Sequence, residues 1–158
     1  MTAIVQSAVP GEDYTLSVTL SNRNRININM LPYFDSIQFL PLKDREVWKT
    51  LKVQDGCLSW QGDVQLSVSA LLYLFREETK SVQITEADAG DDWRLFLRLK
   101  SGSSLYLDME PLLEYSVFAP MVQKKLWKSL RVKEHSLLWE DESLRLELPI
   151  ETILKYFA

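Results

Sequence analysis

Apolar and polar residues alternate along much of this chain. Tyr14, Leu16, Val18 and Leu20 are separated by Thr15, Ser17 and Thr19, the two-residue period of a strand with one buried face. The turn-forming stretch Ser21-Asn22-Arg23-Asn24 follows, and alternation resumes at Ile26, Ile28 and Met30, which predicts a β-hairpin. A weaker strand is predicted before it, over residues 4–9. Pro32 and Pro41 each sit where proline opens a helical turn, its φ already set and its missing N–H costing nothing. Beyond Pro41, the apolar Leu42, Val47, Trp48 and Leu51 oppose Lys43, Asp44, Arg45, Glu46 and Lys49, as on an amphipathic helix. Residues 51–60 return to extended structure around a turn at Asp55-Gly56, and a further arm covers residues 64–68. An apolar helix with Ala70, Leu71, Leu72, Leu74 and Phe75 comes next, with Ser69 as its expected N-cap.

The whole pattern then recurs. Residues 14–62 align without a gap onto 93–141, at a constant shift of 79 positions. The identical pairs are Leu16/Leu95, Leu20/Leu99, Met30/Met109, Pro32/Pro111, Phe39/Phe118, Pro41/Pro120, Trp48/Trp127, Lys49/Lys128, Leu51/Leu130, Val53/Val132, Leu58/Leu137 and Trp60/Trp139. Almost all are apolar or proline, the signature of a preserved core and preserved turns. A unit of this size is too long for one turn of a solenoid and long enough for a small domain. One extra residue after Asp141 brings Leu144, Leu146 and Leu148 level with Val64, Leu66 and Val68, so a hairpin tip is expected there. A strand over residues 82–86 opens the second unit. Ile150, Ile153, Leu154, Tyr156 and Phe157 close it as a helix with Pro149 as first residue. The charged stretch from Arg76 to Lys80 has no apolar periodicity and is taken as the boundary.

Composition narrows the class. With 46% apolar residues the chain is globular in character, and units of this size bury small cores, so the halves should share apolar surface. No apolar run reaches the roughly 20 residues of a bilayer span, and residues 1–11 lack the basic start and apolar stretch of a signal peptide. A soluble, cytoplasmic protein is expected. Cys57 is the one cysteine, so no internal disulfide forms. The net charge of −4 is spread evenly over the halves and does not favour a polyanion partner.

Candidate chemistry is sparse. His135 and Cys57 are not equivalent in the repeat, and neither has a placed partner for nucleophilic or metal chemistry. Glu140-Asp141-Glu142 should splay at a hairpin tip as solvated acids. Asp108 and Glu110 alternate and would face one side of a strand. Lys124, Lys125, Lys128, Arg131 and Lys133, interleaved with Trp127, form the strongest charged feature, read as a solvated helix face before a nucleic-acid patch. Trp60 and Trp139 are in register with core positions and read as core anchors.

Each half resembles the bacterial domain-of-unknown-function 2442 family. The resemblance rests on the alternating strand 14–20, the segment Ile28-Asn29-Met30-Leu31-Pro32-Tyr33, the helix from Phe39 through Leu42 to Trp48, the Val53 strand, and Leu58-Ser59-Trp60. The second half repeats these as 93–99, Leu107-Asp108-Met109-Glu110-Pro111-Leu112, Phe118 to Trp127, Val132, and Leu137-Leu138-Trp139. The family's acidic position before the proline is filled by Asp108 but not by Asn29, and its acid after the tryptophan is replaced by Gln65 and Arg145. The resemblance implies small α+β domains, some of them partners in toxin-antitoxin-like gene pairs.

The expected fold is therefore α+β: two tandem copies, residues 1–78 and 79–158, each a mostly antiparallel sheet with two or three short helices, related by a pseudo-twofold axis. The expected function is a non-enzymatic protein-interaction or regulatory module, antitoxin-like in class. No catalytic, cofactor-binding or metal-binding residue is assigned. The expected partner is another small protein, with the chain a monomeric pseudo-dimer or a weak homodimer. The competing reading is a small-ligand-binding protein or enzyme with a site at the seam between the copies. Nucleic-acid binding through residues 124–133 ranks below both.

Overall fold

The structure, a computed structural model, describes residues 3–158, so the first two positions of the stretch 1–11 lie outside it. It is a mixed α/β fold with antiparallel sheets and few helices. In the first half, β1 (Val5–Pro10), β2 (Thr15–Leu20) and β3 (Arg25–Asn29) lead through two 3-10 turns to α1 (Arg45–Trp48). Then come β4 (Lys52–Gln54), β5 (Cys57–Trp60), β6 (Val64–Leu66) and α2 (Val68–Ser81). In the second half β7 (Ile84–Ala89), β8 (Arg94–Leu99) and β9 (Ser104–Asp108) precede α3 (Lys124–Trp127), β10 (Arg131–Val132), β11 (Ser136–Glu140), β12 (Arg145–Pro149) and α4 (Ile150–Leu154).

Six strands form one antiparallel sheet in the order β1-β2-β3-β9-β8-β7, and two three-stranded sheets, β4-β5-β6 and β10-β11-β12, complete the architecture. The predicted alternation is realised along the large sheet. Leu16, Val18, Leu20, Ile26, Ile28, Leu95, Leu97, Leu99, Leu105 and Leu107 are buried on one face. They join Phe75, Phe157 and the four tryptophans Trp48, Trp60, Trp127 and Trp139 in a single core that crosses both halves. The halves meet where β3 pairs with β9, through Arg25 opposite Tyr106, Ile26 opposite Leu105 and Asn27 opposite Ser104. Helices α2 and α4 also pack on each other.

The tryptophans organise each half. Trp48 and Trp60 stack with ring centroids 6.0 Å apart, and Trp127 and Trp139 stack at 6.1 Å. The Nε1 of Trp48 donates to the Gly11 carbonyl at 2.8 Å, and that of Trp127 to the Gly90 carbonyl at 2.6 Å. Trp60 and Trp139 donate to the carbonyls of Trp48 and Trp127, each at 3.1 Å. Reading these indoles as core anchors is correct, and among the described residues no buried ring nitrogen is left without an acceptor.

Several boundaries differ from the sequence reading. The helix expected from Pro41 is split. A 3-10 turn (Leu40–Lys43) ends at Asp44, whose extended backbone and side-chain bond to the Glu46 N–H restart the chain as α1. The N-cap of α2 is Ser67, two residues before the expected Ser69, and it accepts from the Ala70 N–H, so Val68 belongs to the helix and not to a strand. That helix continues through the supposed boundary to Ser81. Its buried stripe Leu71, Phe75 and Thr79 keeps the i, i+4 spacing with a threonine in the last position, where the apolar periodicity of the sequence stops. In α4, Pro149 is the N-cap rather than the first helical residue, and the helix ends at Leu154. The repeated Val53 and Val132, expected in the core, are 39% and 37% exposed. The β11–β12 tip is longer than its counterpart, as expected, but by three residues and not one: Trp60 pairs with Val64 and Leu58 with Leu66, whereas Trp139 pairs with Leu146 and Leu137 with Leu148, so Leu146 and Leu148 stand level with Val64 and Leu66.

Candidate functional site

The face of the six-stranded sheet opposite the core carries the side chains that alternate with it. Strand register places Thr19, Arg25, Tyr106, Phe96 and Asp88 in one row across β2, β3, β9, β8 and β7. Arg94 and Asp108 face each other in the next row. Aromatic and guanidinium groups layer over the join. The Arg25 guanidinium lies 4.4 Å over the Tyr106 ring, Tyr106 and Phe96 have centroids 4.7 Å apart, and Arg98 lies 5.2 Å over Phe96. Such stacking fixes the orientation of a planar guanidinium while leaving its N–H edges free.

A hollow of about 200 Å³ opens beside this row. The β2–β3 turn supplies Arg23, held at a left-handed φ of 74°, and β3 supplies Arg25. Arg94 enters from the start of β8, with Thr19, Tyr106 and Asp108 completing the wall over Leu107. The turn is fixed by Asn24, a buried side chain whose Oδ1 accepts from the Asp108 N–H at 2.8 Å and whose Nδ2 donates to the Phe157 carbonyl at 2.6 Å. The Asp108 carboxylate turns to accept from the Glu110 N–H at 3.1 Å. Among the described residues, Arg23, Arg25 and Arg94 make no ion pair with a carboxylate, whereas Arg98 is paired with Glu86 at 2.9 Å.

The residues singled out in the sequence lie elsewhere, apart from Asp108. Glu110 is off the strand, opening the 3-10 turn Glu110–Glu114, so Asp108 and Glu110 do not share a strand face as expected. His135 is exposed, with Nδ1 2.9 Å from the Thr79 carbonyl at the end of α2, and Cys57 is half-buried among Gln54, Asp55, Ser59 and Gln65. Of the acidic triplet, Glu140 pairs with Arg131 and Arg145, while Asp141 accepts from the Ser143 and Leu144 N–H groups. Those bonds hold the Asp141 carboxyl below its ordinary pKa. The basic stretch is dispersed as well. Lys128 binds the Ala89 carbonyl and Asp91, whose carboxyl is thereby held low, Arg131 faces Glu140, and Lys125 borders Glu140, Asp141 and Glu142. The carboxylates break it up as a continuous basic surface.

Sequence reasoning missed the hollow because its arginines are scattered at 23, 25 and 94 and meet only through the β3–β9 pairing. The available signal was that three arginines fall at turn or outward-facing strand positions whose counterparts at the 79-residue shift are Gly102, Ser104 and Thr15.

A second polar cluster ties α2 to both halves. The Glu78 carboxylate accepts from the Tyr33 hydroxyl at 2.9 Å and from the Ser101 hydroxyl. Burial, and then the adjacent Glu78 charge, push the Tyr33 phenol well above its ordinary pKa, so it stays a hydrogen-bond donor. A further groove of about 320 Å³ lies between α2 and α4, bordered by Leu72, Tyr73, Arg76, Glu151 and Leu154.

Fold and hollow together define a small α+β protein with a positively charged recess on an open sheet face. Residues 84–158, from the first residue of β7 to the last of the chain, match the model of a family described as a protein of unknown function, DUF2442. The match covers the second half. No curated protein and no solved structure matches the chain. No helix among the described residues is long and apolar enough to cross a membrane.

Proposed function

We propose that the chain is a non-enzymatic binding module made by tandem duplication, whose recognition surface is the open sheet face at the join of the two copies and whose partner is anionic. The observation that carries this reading is the convergence of Arg23, Arg25 and Arg94 on one hollow, none of them in an ion pair among the described residues. Exposed arginines on a folded surface ordinarily pair or spread. Three gathered around an aromatic ring are a preformed acceptor for negative charge.

Duplication is supported by the join itself. At a shift of 79, Arg25 corresponds to Ser104, Ile26 to Leu105 and Asn27 to Tyr106. The pairs Arg25–Tyr106 and Asn27–Ser104 are therefore mirror images about Ile26–Leu105. The bonds just outside them obey the same relation: Asn29 N–H to Ser103 Oγ at 3.0 Å, and Asp108 N–H to Asn24 Oδ1 at 2.8 Å. A pseudo-twofold axis through Ile26 and Leu105 generates each from the other, as in an isologous dimer interface. We take the copies as the halves 1–78 and 79–158, a division that falls within the last turn of α2, and read the arrangement as a pseudo-dimer in one chain.

The interaction reading thus moves from an unspecified small protein partner to one defined by charge. Backbone amide shifts of the full chain during titration with heparin, a general polyanion, test it. Changes gathered in residues 19–27 and 94–108 support the assignment; changes centred on residues 124–133, or none, overturn it.

A further inference from the structure

The dimensions and charge of the hollow specify more than a negative partner. Building on the anionic-partner reading, we propose that Arg23, Arg25 and Arg94 form a receptor for the phosphoryl group of a phosphomonoester, one per chain.

Size is the first argument. At about 200 Å³ the hollow is below the range of about 300–1,000 Å³ usual for pockets that enclose a whole drug-sized ligand. It suits a tetrahedral oxyanion and the few atoms attached to it. Charge is the second. Three guanidinium groups less the Asp108 carboxylate leave two positive charges around the space. A phosphomonoester carries about −1.5 to −2 at neutral pH and matches them, whereas a carboxylate or a phosphodiester carries about −1. Geometry is the third. Each guanidinium offers a planar fork of N–H donors that fits two oxygens at once. Arg25 is oriented by the Tyr106 ring, and Arg23 by a turn fixed through Asn24. The Asp108 carboxylate accepts from the Glu110 N–H and, among the described residues, makes no ion pair with Arg94 across the sheet.

The duplication supplies an internal comparison. The equivalent surface on the other side of the axis presents Gly102, Ser104 and Thr15 where the hollow has Arg23, Arg25 and Arg94, and Asn27 where it has Tyr106. It keeps the backbone plan but, of the charge, only Arg98 at the place of Thr19, and that arginine is paired with Glu86. A symmetric scaffold therefore carries one site, and the stoichiometry is one.

Calorimetric and amide-shift titrations of the full chain at low salt test this, with phenyl phosphate, inorganic phosphate, diphenyl phosphate and benzoate as probes. Phenyl phosphate should bind one to one, with shifts confined to the hollow, and more tightly than diphenyl phosphate or benzoate. Equal affinity for inorganic phosphate would show that the free oxyanion suffices; tighter phenyl phosphate would show that the ester-bearing molecule is read as well. Arg23→Gly and Arg94→Thr install the residues of the opposite side at exposed positions. Each should weaken binding about tenfold, as loss of a charge-assisted hydrogen bond does. Arg145→Gln, on β12 of a separate sheet and already paired with Glu140 and Glu147, should leave affinity unchanged. Two equivalent sites, unaltered affinity in both arginine variants, or preference for the diester would overturn the proposal. Heparin shifts at the hollow without saturable phenyl phosphate binding would overturn it while sparing the broader reading; silence toward both probes would remove both.

Discussion

At the scale of the residue, the most constrained positions are two glycines that the alternation of strands does not reveal. Gly11 and Gly90 lie 79 positions apart, just before the aligned stretch, and each donates its N–H at 2.8 Å to a strand carbonyl, of Thr15 and Arg94 respectively. Each also presents its own carbonyl to a buried tryptophan. A Cβ would lie 2.8 Å from the Thr15 oxygen at Gly11 and 3.0 Å from the Arg94 oxygen at Gly90, and backbone has no flexible end to move aside. Gly90→Ala should cost about 2 kcal/mol, in the range for overpacking, and it should lower the urea midpoint without changing the slope. An unchanged midpoint would show that the Trp127 anchor tolerates a displaced turn. Tyr14 and Trp93, which follow these glycines, take φ values of 64° and 56°. An aromatic residue in that region is uncommon, and nothing in the hydrophobic pattern distinguishes it from an ordinary first residue of a strand.

At the scale of the element, α2 shows how a helix acquires a second role from its polar residues. Its apolar stripe was legible, but its last turn was not, because Glu78 and Thr79 are held by bonds to distant residues: Tyr33 and Ser101 to the carboxylate, His135 to the Thr79 carbonyl. Those partners are invisible along the sequence. The Tyr33 phenol has a pKa raised in the folded state, so the folded chain keeps its proton when the unfolded chain has begun to lose it. Stability from this group is present in full below the ordinary phenol value near 10 and falls as pH rises beyond it. Tyr33→Phe should destabilise by about 1 kcal/mol at neutral pH, and the difference from the parent should shrink in denaturant titrations carried above pH 10. A difference that grows with alkalinity would contradict the direction assigned to Tyr33.

At the scale of the molecule, the α+β class was readable because it rests on apolar spacing, which any core of this plan preserves. The join was not, since a strand pairing between halves depends on which edge each half leaves open. Asn24 and Ser103 show the cost of closing it. Both are buried at equivalent positions and both accept an N–H from the opposite half, but Asn24 also holds the Phe157 carbonyl. Asn24→Ala leaves the Asp108 N–H unpaired and removes one of two donors to the Phe157 carbonyl, which keeps Asn22 Nδ2 at 2.9 Å, and it should cost about 2 kcal/mol, against about 1 kcal/mol for Ser103→Ala. Because one core and one sheet span the chain, calorimetry should show a single unfolding transition in the parent. Two separated transitions would mean that the halves fold independently and that the join adds little.

Symmetry in the scaffold with asymmetry in the charge is the central claim, and a crystal structure of the chain grown with phenyl phosphate tests it most directly. The account predicts β3 paired to β9 about Ile26 and Leu105, with one phosphoryl group held among Arg23, Arg25 and Arg94 and none at the opposite surface around Thr15, Gly102 and Ser104. Unpaired central strands, or a phosphoryl group seated away from the three arginines, would contradict it.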